Sequence, residues 1–170
     1  MNKFDIFIDV QDKHWEKSIP SVEVLVDDVK SAVLDVVQND VWFLSEPKNF
    51  SINLALSNDK TVHRLNKEFR HQDRPTNVLS FANIDDEDFE NELEMQEDVC
   101  LGDVIVAYET MVRESEELGV SFKDHFCHLW VHGMLHVLGF DHMIESERIE
   151  MEEKEIAILK KLAIENPYQE

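Results

Sequence analysis

Residues 121–142, SFKDHFCHLWVHGMLHVLGFDH, decide how the rest of the chain must be arranged. Phe126, Leu129, Trp130, Val131, Met134, Leu135, Val137 and Leu138 surround most of a helical circumference. A helix that is apolar on nearly all sides belongs at the centre of a fold, not on its surface. Ser121, with Asp124 three residues on, makes a capping-box start, and Gly139 makes a stop, because glycine readily takes the left-handed turn that closes a helix. Residues four apart lie on one face about a turn apart, so His132 and His136 aim at one point. The turn at Gly139 lets His142 swing toward the same point. Three neutral imidazoles suit one zinc ion whose fourth position stays open to water, which is the catalytic arrangement.

The histidine spacing is that of the extended zinc-peptidase signature H-E-x-x-H-x-x-G-x-x-H, whose glutamate is the general base. Here that position is Gly133. A metal site is expected, but peptide hydrolysis by that route lacks its central residue.

Working outward, the other segments alternate between two periods. Phe4, Ile6, Ile8 and Val10 alternate as a half-buried strand, and so do Phe50, Ile52, Leu54 and Leu56. Between them, valines from Val22 to Val37 recur at helical spacing. Ser57 or Asn58 can cap a helix carrying Val62, Leu65 and Phe69 inward. Residues 77–82 (NVLSFA) and 104–107 (VIVA) read as buried strands. A helix over 108–118 ends at Gly119, and a last helix over 145–164 carries Ile149, Ile156, Leu159 and Leu162 as its inner stripe. The pattern predicts an α+β (α/β layered) fold: one mixed β-sheet with helices packed on it, the histidine-bearing helix central, and residues 1–170 as a single domain.

A hydrophobic content of 43% is that of a globular protein, and there is no long apolar run or basic–apolar leader, so a cytoplasmic location is expected. Cys100 and Cys127 match no metal or redox spacing and read as reduced thiols. The formal net charge of −21 argues against a nucleic-acid binder until its distribution is considered. Nine acidic residues and no basic one fall between Asp85 and Asp98, which reads as a solvated loop. Lys60, Arg64, Lys67, Arg70 and Arg74, by contrast, face only Glu68 and Asp73, so a local basic face is open to the chain.

HGMLHVLGFDH closely resembles the H-G-x-L-H-L-x-G-[FY]-D-H signature of the YbeY endoribonucleases. LNKEFRHQDRPTNVLSFA, from Leu65, is similar to that family's L-N-x-x-[FY]-R-x-x-x-x-P-T-[DN]-V-L-S-F segment, and LGDVIVA, from Leu101, to its G-D-[IV]-x-[IV] strand. Order and spacing agree across most of the chain from Leu54 to His142. The resemblance implies a zinc-dependent, single-strand-specific endoribonuclease that matures the 3′ end of small-subunit (16S) ribosomal RNA and serves ribosome quality control. Its partners would be ribosomal RNA, small-subunit proteins and assembly factors, with neither DNA nor a membrane among them. It carries the metal ligands onto His132, His136 and His142, the functional arginine onto Arg70, and a common histidine onto His128. Asn77 stands where aspartate often occurs, and Ala82 where proline often follows.

Arg70 suits paired hydrogen bonds to phosphate oxygens, which a planar guanidinium makes better than an ammonium. Asp141, the acid nearest the ligands, suits either proton transfer or the holding of a ligand histidine's N–H. Arg70, His132 and Asp141 are thus the expected catalytic set, while His71 and His125 read as exposed side chains. Two rival readings are a metallopeptidase-like hydrolase and a non-catalytic ribosome-assembly factor with structural zinc.

Overall fold

A computed structural model describes residues 3–168. The alternating first segment forms β1 (Phe4–Val10). A short helix, α1 (His14–Ser18), then drops Trp15 into the core, where its indole N–H donates to the Ser57 carbonyl at 2.8 Å. The valine stripe becomes the buried face of α2 (Val22–Val37). After β2 (Asn49–Ser57), the Asn58 side chain accepts the Thr61 N–H at 2.9 Å and starts α3 (Asp59–Arg70). There follow β3 (Val78–Ala82), α4 (Phe89–Met95), β4 (Asp98–Ala107), α5 (Tyr108–Leu118), α6 (Phe122–Val137) and α7 (Glu145–Lys161).

The sheet order is β1-β2-β4-β3, with β1, β2 and β4 parallel and β3 antiparallel to β4. This is the mixed sheet of an α+β fold. β4 lies inside it and is buried on both faces, which is why VIVA carries no polar residue. Val104 and Val106 join the main core beneath α6, whereas Ile105 and Ala107 meet Val62 of α3 on the other side. α6 is the hub: it packs against β3, β4, α2, α5 and α7. Among the described residues, no helix is long and apolar enough to cross a membrane.

Four local expectations are corrected. The acidic segment is not a loop, because Phe89 and Leu93 lie four apart on one face of α4 and are buried, leaving the carboxylates to the outer circumference. β4 begins at Asp98 rather than Val104, paired along β2. Phe69 is 57% exposed and stacks edge-on with Phe81 at 5.9 Å, since Val62 and Asn66 take the inward positions of α3. In α7 the inward residues are Met151, Glu155, Ile158 and Leu159, while Ile149 is exposed. One of those inward positions is held by a carboxylate because the histidine face of α6 lies opposite it.

Candidate metal centre and active site

The end of α6 sets the site. The N–H of Gly139 donates to the His136 carbonyl at 3.0 Å and that of Phe140 to the Leu135 carbonyl at 2.9 Å, the paired bonds of a Schellman turn. Gly139 has φ of 106°, where a side chain is strained. The chain doubles back and delivers His142 to the face carrying His132 and His136.

Ligand nitrogens of the three histidines lie within 4.8 Å of one another. Nε2 of His132 and Nε2 of His136 are 3.1 Å apart. A tetrahedral zinc with Zn–N bonds of ~2.0–2.1 Å holds its nitrogens about 3.3 Å apart, so this pair fits an ion with a shift of tenths of an ångström. Burial, followed by the neighbouring His132 and His142, lowers the His136 pKa to about 4, although Asp141 opposes the shift. His136 is therefore neutral near pH 7, as a ligand must be. The donor set fits a divalent metal ion.

Glu155 of α7 is the buried acid of the site, 1% exposed. One oxygen meets His132 Nδ1 at 2.7 Å and the other accepts the Tyr168 hydroxyl at 2.6 Å. Burial pushes this carboxyl up, but the neighbouring His128 imidazole and the bonds from His132 and Tyr168 outweigh it and hold the pKa at about 2. Tyr168 is pushed the other way, upward, by burial and by Glu155. Its hydroxyl also lies 3.2 Å from His128 Nε2.

A cleft of about 440 Å³ opens beside the histidines, lined by Arg70, Arg74, Ser80, His136, Asp141 and His142 among others. Arg70 ends α3, donates to the Ser80 carbonyl at 2.6 Å and lies over the Phe81 ring at 4.8 Å. β3 therefore holds an exposed guanidinium beside the imidazoles. Lys60, Arg64, Lys67, Arg70 and Arg74 are all exposed, and α3 carries four of them. Asp141 lines the cleft, but its carboxylate accepts the next residue's N–H, from His142, at 2.7 Å. The acid that meets a cluster histidine's second nitrogen is Glu155, not Asp141.

Gly133 sits at the α6–β4 contact, where a Cβ would lie 2.7 Å from Val104 Cγ1. A carboxylate base has no room there. The position the peptidase signature gives to its glutamate is a packing position in this chain.

The family model for Endoribonuclease YbeY matches residues 11–163. The Endoribonuclease YbeY of Rhodospirillum rubrum is 43% identical over 161 residues, 95% of this chain and 80% of the relative. The chain belongs to the YbeY endoribonuclease family. The YbeY of Paramagnetospirillum magneticum is 38% identical, over 98% of this chain and 96% of its own length. A solution structure of TM1509 from Thermotoga maritima matches with a TM-score of 0.55 at 19% identity, covering 93% of this chain and 91% of that one, a likeness of fold.

Where YbeY proteins often have aspartate, Asn77 donates to both carboxylate oxygens of Glu114, at 3.0 and 3.3 Å. Glu114 also meets His125 Nε2 at 2.9 Å, so His125 is buried rather than exposed. His71 stays exposed as the left-handed cap of α3. Sequence reasoning missed Glu155 and Tyr168. Glu155 is one of several glutamates on an acidic helix, and no local pattern sets it apart.

Proposed function

We propose that the protein is a zinc-dependent, single-strand-specific endoribonuclease of the cytoplasm, acting as one domain on the 3′ end of small-subunit (16S) ribosomal RNA and in ribosome quality control. One observation carries the reading: two of three convergent imidazoles, those of His136 and His142, line a cleft that also contains an exposed, anchored arginine, in a chain of the YbeY family. His132, His136 and His142 would hold a zinc ion, which would supply Lewis acidity and lower the pKa of water at the site toward neutral.

The chain's own residues do the rest. Arg70 pairs with phosphate oxygens and offsets the negative charge that grows in the transition state. Its anchorage to Ser80 and Phe81 limits the motion it must lose when substrate arrives. Asp141, exposed in the same cleft, is the acid open to substrate and accepts a proton there. A net charge of −21 opposes general affinity for RNA, so small-subunit proteins and assembly factors supply much of the docking.

Elemental analysis paired with cleavage of a single-stranded ribosomal RNA fragment tests this. Wild type holds about one zinc and cuts; His136→Ala loses both properties; Arg70→Ala keeps the metal and loses cutting. Metal binding with no cleavage by any form would overturn the nuclease reading and favour the assembly factor.

A further inference from the structure

We infer that Glu155, held by Tyr168 and His128, is the positioning residue of the metal centre: it fixes His132 in the tautomer whose Nε2 lone pair faces the ion. The inference rests on the proposed metal-dependent function. Its basis is the placing of a carboxylate among the apolar residues of α7, between Met151 and Ile158. A buried carboxylate is costly unless it is fully hydrogen-bonded. Each oxygen of Glu155 has a close partner, His132 Nδ1 at 2.7 Å and the Tyr168 hydroxyl at 2.6 Å, and His128 Nε2 stands 3.6 Å from the first oxygen.

The tautomer follows from this geometry. A neutral imidazole carries one N–H. If the lone pair were on His132 Nδ1, it would face a carboxylate oxygen at 2.7 Å, two acceptors in repulsion. The proton therefore lies on Nδ1, and Nε2 presents its lone pair toward His136, 3.1 Å away. Tyr168 lies beyond α7, 13 residues after Glu155, and through Glu155 the end of the described chain bears on a ligand of α6. Partners of this kind typically change metal affinity by roughly 10–100-fold.

The test compares wild type with Glu155→Gln, Tyr168→Phe and the control Glu152→Gln, whose carboxylate pairs outward with Arg148 at 2.6 Å. Zinc affinity is read by competition with a chromophoric chelator. The His132 tautomer is read in the zinc-free protein from long-range proton–nitrogen NMR. Wild type should show His132 protonated on Nδ1. Glu155→Gln should lose this preference and bind zinc at least about tenfold more weakly. Tyr168→Phe, at a partly exposed position that leaves the core intact, should weaken zinc severalfold, and Glu152→Gln should match wild type. His132 protonated on Nε2 in wild type, or unchanged zinc affinity in both Glu155→Gln and Tyr168→Phe, overturns the inference. Should Glu155→Gln fail to fold, Tyr168→Phe and the wild-type tautomer decide it. Wild type that takes up no zinc overturns the proposed metal-dependent function, while the tautomer still reports on Glu155.

Discussion

Gly133→Ala tests why the residue after the first histidine is glycine. The added Cβ would lie 2.7 Å from Val104 Cγ1 and 3.2 Å from its Cγ2. Carbon atoms rest about 3.5–4.0 Å apart, so α6 must move off the sheet by something on the order of 1 Å or Val104 must yield. Val104 is fully buried and β-branched and has little freedom to yield. Overpacking of this kind costs about 1–3 kcal/mol, against a gain of about 1 kcal/mol for alanine over glycine inside a helix. The expected net is a loss of about 1 kcal/mol. In a Val104→Ala background the obstructing methyls are gone, and Gly133→Ala should become stabilising by up to about 1 kcal/mol. Urea unfolding of the four chelator-treated proteins, with m-values compared, reads the coupling directly. A stabilising Gly133→Ala in the wild-type background, or the same sign in both, would refute the packing argument.

Other outcomes follow from the same structure. Burial pushes the Cys127 thiol up to about 12, so a disulfide reagent should leave it unmodified in the native protein and reach it only after denaturation. Asn77→Asp exchanges a donor to the Glu114 carboxylate for a like charge; it should cost about 2 kcal/mol at pH 7, seen in chemical melts, and cost less in acid as one of the two carboxyls gains a proton. Phe89→Ala should destabilise by about 3–5 kcal/mol, because this residue of the acidic segment is 2% exposed, and a change under about 1 kcal/mol would return the segment to a loop. Binding of naked single-stranded RNA should be weak and fall steeply with salt, as measured by fluorescence anisotropy from 50 to roughly 200 mM; tight, salt-insensitive binding would contradict a contact limited to the basic face of α3.

The histidine cluster was legible because its causes are local. Two imidazoles a helical turn apart, a glycine that closes the helix and a third histidine just past the turn need no distant residue to converge. Strand and helix periods likewise placed the main elements, since alternation and helical recurrence record which side of each segment meets the core. Arg70 stood out only through the family resemblance; its anchorage to Ser80 and Phe81 comes from β3, across the fold. The sequence by itself determined that three histidines converge and that their helix is central. Tertiary packing alone decided which glutamate of α7 turns inward, that Gly133 is a packing position and that Phe89 and Leu93 bury an acidic segment. Each of these depends on the phase of one element against another, and that phase is set by the surface each helix finds when the layers close, which no single segment encodes.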